Sequence, residues 1–160
     1  MDQLTNRDRE YLRVLYVLNG FTDPVGPVLL SKKIGVSKVC AFQKMRRLEA
    51  LGYGKYVLRK GLKLNKKACS LVEQDVKKHH VLEAFLQKKL GLTHHQACIE
   101  AEKLDSSVSQ TLFNKINSTS MKQVSSCCRY NPKEELTVSD LKKCPWMKRL
   151  LCTTEEVKET

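Results

Sequence analysis

The stretch VSKVCAFQKMRRLEALGYG, residues 36–54, leaves the chain little choice of fold around it. Ser37 supplies an N-cap oxygen, Ala41, Met45, Leu48 and Leu51 recur on one side with helical period, and Gly52 supplies a stop, so the spacing predicts a helix of about four turns. A short helix over roughly Val28 to Ile34 and a turn at Gly35 stand just before it. Two helices joined by a tight glycine-containing turn make a helix-turn-helix. Upstream, Tyr11, Leu12, Leu15 and Leu18 mark a first helix ended by Asn19-Gly20, and Asp23-Pro24 with Gly26-Pro27 marks a loop. Downstream, YGKYVLRKGLKL alternates around Arg59-Lys60-Gly61 and predicts a small hairpin with a basic tip, which after such a helix is a wing.

Charge sharpens the reading. The chain carries a formal +12, of which residues 1–64 supply +8 (13 Lys+Arg against 5 Asp+Glu) and residues 65–160 supply +4 (16 against 12). Between Pro24 and Leu64 the only acid is Glu49. Such a surface suits a polyanion; a generally basic solvated face, or a helix-turn-helix used for protein contacts, is the competing reading. With the apolar set facing inward, Ser37, Val39, Cys40, Gln43, Lys44 and Arg47 face outward, although Phe42 spoils a clean rotation. Gln43 suits an adenine edge in the major groove, whereas Lys38, Lys44, Arg47, Arg59, Lys60 and Lys63 suit phosphates.

Several classes are disfavoured. No apolar run approaches the ~20 residues that cross a bilayer, and MDQLTNRDRE is charged where a signal peptide is greasy, so the expected location is cytoplasmic, with no membrane partner. The seven cysteines include no CxxC pair, which argues for reduced thiols rather than a disulfide framework or a zinc ribbon. Without a glycine-rich phosphate loop or a nucleophile–base pattern, neither an enzyme nor a small organic substrate is expected. A non-specific architectural DNA-binding protein stays open.

The rest of the chain reads as helical. NKKACSLVEQDVKKHHVLEAFLQKKLGL runs from a capping Asn65 to Gly91, with Ala68, Leu71, Val72, Val76, Leu82, Phe85 and Leu86 as its apolar stripe. His79 and Glu83 share one face on the flank of that stripe, where half-burial is expected, while His80 points about 100° away. A Thr93–Gln96 capping box opens a further helix through THHQACIEAEKLDSSVS, with Cys98, Glu102, Asp105, Ser106 and Ser109 along one side. Imidazole, thiolate and carboxylate together suit a divalent first-row metal, and on spacing alone a solvated acidic face explains them as well. In the tail, a short helix, a break at Pro145 and a basic amphipathic turn with Trp146 and Leu150 are expected. The resulting plan is mainly α with a small β-wing: a winged helix-turn-helix over 1–65, a helical domain over 66–140 and a C-terminal extension over 141–160.

The segments REYLRVLY, GLKLNKKA, KHHVLEAFL, LGL, EAEKLDSSVS and CCRYNP, spread over residues 8 to 132, together resemble the diphtheria toxin repressor and manganese transport regulator family. The resemblance implies an N-terminal winged helix followed by an α-helical dimerisation domain, with metal ligands at their junction. One ligand set falls on His79, Glu83 and Cys98, the last in place of the family's histidine. The other falls on Glu10, Glu102 and Asp105, with Ser106 where the family has histidine and Arg13 where manganese-sensing members have glutamate. Implied with these is a homodimeric repressor of a double-stranded DNA operator, activated by a divalent transition metal, Mn2+ or Fe2+ first, Zn2+ or Co2+ as alternatives. A regulator of the same fold that has lost metal control, acting constitutively or through thiols at Cys98, Cys127 or Cys128, is the other expectation.

Overall fold

The computed structural model describes residues 4–105, 107–120 and 144–151, which divide into two compact units. One comprises the N-terminal residues through Val72 together with Met147 onward; the other is Glu73–Trp146. The expected boundary at residue 65 thus lies at the start of a long helix, and the division itself falls inside that helix.

Local signals build the first unit. Helix α1 (Asn6–Val17) begins with a capping box in which Thr5 and Asp8 each accept the other's backbone N–H, so two of the orphan donors of the first turn are satisfied. Helix α2 (Pro27–Ile34) has proline in its first turn and ends at Gly35, left-handed at φ 73°. That conformation costs glycine little. Helix α3 (Lys38–Ala50) starts at Ser37, whose hydroxyl accepts the Cys40 N–H at 3.1 Å. Ala41, Met45 and Leu48 are fully buried with Tyr11, Leu12, Leu15 and Leu30, as the periodicity predicts; Leu51 is only half-buried.

The wing is the antiparallel pair β1 (Gly54–Val57) and β2 (Gly61–Leu64), in register from Gly54 opposite Leu64 to Val57 opposite Gly61. Val25 and Leu62 exchange backbone hydrogen bonds at 3.0 Å, which draws the α1–α2 loop onto β2. Gly61 is required there: its φ is 121°, and a Cβ would fall 1.9 Å from the Val25 carbonyl oxygen. Wing and α3 are tied through Glu49, which accepts the Tyr56 N–H at 2.8 Å and pairs with Arg46 at 2.6 Å. Phe42, the residue that spoiled the helix rotation, sets its ring edge-on to Tyr56 at 5.4 Å.

Helix α4 (Lys66–Leu90) starts in the first unit and continues through the second. From His79 to Ala84 every residue of it is buried, so this part is a central helix rather than an amphipathic one. Val81, Leu82 and Leu86 pack with Ala97 and Ala101 of α5 (His94–Leu104) and Ile116 of α6 (Gln110–Ser120).

Here the structure corrects the sequence reading. The helix expected through Ser109 ends at Leu104, and α6 begins at Gln110, with Ser109 accepting the Leu112 N–H. Short polar residues such as Asp105, Ser107 and Ser109 compete for backbone hydrogen bonds and favour turns and caps over helix interior. The single polar stripe from Cys98 to Ser109 therefore does not exist as one face. Pro145 opens helix α7 (Pro145–Leu151) instead of breaking one, consistent with proline's tolerance at a first turn. The CCRYNP segment, with Cys127 and Cys128, lies outside the described residues.

Candidate metal and DNA-binding sites

The central feature of the second unit is the ring of His79. It is fully buried, as is Glu83 one turn further along the same face, so the half-burial expected of both is corrected: α4 is enclosed on all sides at this level. The His79 Nδ1 lies 3.2 Å from the Asp105 carboxylate, and its Nε2 lies 3.5 Å from the Cys98 sulfur. Burial opposes the charged imidazole, but the hydrogen bonds to Asp105 and Cys98 and the charge of Asp105 outweigh it and raise the His79 pKa above its ordinary value. In the neutral ring a carboxylate at Nδ1 favours the proton there, and the Nε2 lone pair of that tautomer is directed at the thiol.

His80 is buried as well. Its Nδ1 donates to the Val76 carbonyl at 2.8 Å, and its Nε2 lies 3.5 Å from the Cys144 sulfur. The two histidines therefore each face a different cysteine. His94 and His95 are exposed in the first turn of α5.

Whether a metal fits is decided by the donors themselves. Among the described residues no three His, Cys, Asp or Glu side chains already stand in metal-holding geometry. The donor chemistry is nonetheless right: a buried imidazole oriented by a carboxylate, a buried thiol at its free nitrogen and a buried carboxylate one turn away. Glu83 accepts from Gln87 at 3.4 Å. Asp105 brings one carboxylate oxygen to His79 Nδ1. Glu102 is exposed on α5. Glu10 belongs to the first unit, where it pairs with Arg7.

The residues expected on DNA separate into two groups. Ser37, Lys38, Val39 and Gln43 are exposed on the first turns of α3, as are Arg59, Lys60 and Lys63 on the wing, with Arg59 left-handed at its tip (φ 63°). Lys44 and Arg47 are not free for phosphates. They reach Asp8 of α1 at 2.8 and 3.2 Å, and Asp8 is fully buried. Burial pushes the Asp8 pKa up, but hydrogen bonds from Lys44, Thr5 and Arg47 dominate and hold it far below the usual carboxylate range. Cys40 is also turned inward, its sulfur 3.8 Å from the Tyr11 hydroxyl; burial and this contact push the Tyr11 pKa up to about 12. Asp8 was missed in the sequence, although an acid at the third helical position after Thr5 is a capping-box signal.

A winged helix-turn-helix followed by a helical unit with buried donor residues at its centre defines the class, a winged-helix DNA-binding protein with an appended helical domain. The iron dependent repressor N-terminal DNA binding domain matches residues 3–62, and the iron dependent repressor metal binding and dimerisation domain matches residues 68–135. The chain belongs to the iron dependent repressor family. No curated protein sequence matches it significantly.

Solved structures agree. ScaR with bound Zn2+ is 25% identical with a TM-score of 0.61, over 69% of this chain and 52% of ScaR. A manganese-dependent transcriptional repressor in complex with manganese is 28% identical at a TM-score of 0.56, over 69% of this chain and 51% of its own. A hypothetical protein from Sulfolobus solfataricus shares the fold at 18% identity and a TM-score of 0.71, over 82% of this chain and 100% of its own. The chain thus spans about half the length of ScaR and the manganese-dependent repressor.

Proposed function

We propose that the protein is a metal-responsive transcriptional regulator, a homodimeric repressor that binds double-stranded operator DNA when loaded with a divalent transition metal, Mn2+ or Fe2+ before Zn2+ or Co2+. The carrying observation is His79, buried, fixed by Asp105 at Nδ1 and facing Cys98 with Nε2. His79, Cys98 and Glu83 would hold the cation, and Asp105 keeps the imidazole in the ligating tautomer. When bound, the cation supplies a fixed positive charge that the thiol and carboxylates can share.

The chain's own residues supply the rest. Gln43 and Val39, exposed at the front of α3, suit base edges and thymine methyl groups, and Lys38, Arg59, Lys60 and Lys63 suit phosphates. Lys44 and Arg47 act through Asp8 to fix α3 on α1. Two such reading heads in a dimer meet successive major-groove faces about 34 Å apart. An effector that favours the DNA-ready arrangement by ~1–3 kcal/mol tightens operator binding about 5- to 150-fold. Control by thiol oxidation at Cys98 is the weaker reading, because its sulfur is buried and redox-sensing thiols are accessible ones.

The test begins with chelated protein and duplexes selected in vitro for binding. Adding Mn2+, Fe2+, Co2+ or Zn2+ should tighten the selected duplex by the factor above, and His79→Ala should abolish that response while leaving non-specific binding intact. Affinity unchanged by all four metals refutes the metal switch.

A further inference from the structure

The C-terminal segment arrives at the histidine pair in a way that the metal reading does not use. Trp146 lies flat on the His79 ring, with centroids 4.0 Å apart and planes 8° from parallel. Cys144, two residues earlier, meets His80 at 3.5 Å. Trp146, Cys144 and both histidines are at most 2% exposed, so the segment closes over this part of α4. His79 and His80 themselves are edge to face, 5.6 Å between centroids.

We propose that Cys144–Trp146 is a clasp on the histidine pair, in which Trp146 is a positioning residue for a cation at His79, so that cation binding and docking of this segment strengthen each other. The inference rests on the metal reading above. Its physical basis is the direction of the imidazole lone pairs, which lie in the ring plane. An indole on the ring face leaves Nε2 open toward Cys98 and hinders rotation of the ring. Asp105 fixes His79 at Nδ1, and Trp146 fixes its plane. A ligand held in one orientation before the cation arrives loses less freedom on binding. Cys144 on His80 holds the clasp beside its target without occupying either nitrogen of His79. By linkage, whatever the docked segment adds to cation affinity, the cation returns to docking.

Trp146 is the chain's single tryptophan, which makes the clasp observable in the full-length protein. Zn2+ is the suitable probe, since it has no redox chemistry and a change in emission then reports the indole's surroundings. Stoichiometric Zn2+ should shift Trp146 emission and slow proteolysis near the segment. Zn2+ affinity, measured by competition with a chromophoric chelator, should fall about 3- to 10-fold in Trp146→Ala, the range set by the worth of an aromatic stack, and recover in Trp146→Phe. Should Trp146→Ala not fold, Cys144→Ala read against wild type carries the same expectation for emission, proteolysis and affinity. Zn2+ binding with unchanged emission, unchanged proteolysis and equal affinity in these variants overturns the clasp and leaves the metal site standing. Failure of the wild-type protein to bind Zn2+, Mn2+, Co2+ or Fe2+ overturns the metal reading and the clasp with it.

Discussion

Asp8→Asn isolates the tie that seats the reading helix. The amide keeps the shape of the carboxylate and one oxygen for the Thr5 N–H, so the capping box survives in part; what disappears is the negative charge facing Lys44 and Arg47. A charge-assisted hydrogen bond is worth about 1.5–3 kcal/mol; the retained oxygen gives Arg47 at best a neutral-acceptor bond nearer 1 kcal/mol, and the amide nitrogen that replaces the oxygen facing Lys44 cannot accept at all. Two such changes cost about 2 kcal/mol. The figure stays below the ~3–5 kcal/mol for breaking a fully buried pair because the Lys44 and Arg47 side chains keep 25% and 32% exposure and can rehydrate. Urea denaturation followed by circular dichroism, with the slope unchanged, measures the loss. A double-mutant cycle with Lys44→Met should return a coupling of about 1 kcal/mol or more. The pH dependence adds a second check. The folded Asp8 carboxyl sits far below its unfolded value of about 3.9, so its contribution is fully present above that value and is lost as pH falls toward the folded one. The wild-type advantage over Asp8→Asn should therefore be flat from about pH 5 to 8 and shrink below about pH 4. A loss under ~0.5 kcal/mol, the level of an ordinary surface substitution, together with no coupling to Lys44, refutes the tie.

Two further outcomes follow from the same geometry. Gln43→Ala should change which duplexes are selected, whereas Lys60→Ala should weaken all duplexes alike and reduce the slope of log affinity against log salt by about 1; the reverse pattern, read by binding titrations at several salt concentrations, would place the base-reading residue on the wing. Cys98→His should harden the donor set, raising Mn2+ affinity relative to Zn2+ in competition titrations; an unchanged ratio would remove Cys98 from the metal's partners.

Where neighbouring residues carried the signal, the fold was legible. The Ser37 cap, the Gly35 and Gly52 stops and the alternation around Arg59-Lys60-Gly61 predict the helix-turn-helix and the wing to within a residue or two of the observed ends. Partnerships across the chain were not legible. Nothing near Lys44 or Arg47 announces an aspartate in α1, so both read as outward-facing cations, and Cys40 likewise hid its contact with Tyr11. Along α4 the apolar stripe accounts for one face, but burial on all sides at His79 and Glu83 depends on what the other helices and the C-terminal segment bring to it. Asp105 read as part of one polar face on a continuous helix; α5 instead ends at Leu104, and the Asp105 carboxylate meets the His79 ring at 3.2 Å. The one-turn spacing of His79 and Glu83 was readable and Cys98 joined them through the family resemblance, but the stacking of Trp146 on His79 was not legible, since a lone indole has no local pattern.

The internal engagement of Glu49 has a consequence for the charged surface around it. As the only carboxylate from Pro24 to Leu64, it faces the Tyr56 backbone and Arg46, and Asp8 is enclosed beneath α3. Both carboxylates are thus paired with neighbours in their own unit, and the exposed ionic side chains at the front of α3 and on the wing, Lys38, Arg59, Lys60 and Lys63, are of one sign. A duplex that meets this face is drawn by cations whatever its sequence, so encounter can be fast, with discrimination left to the short-range fit of a few uncharged side chains.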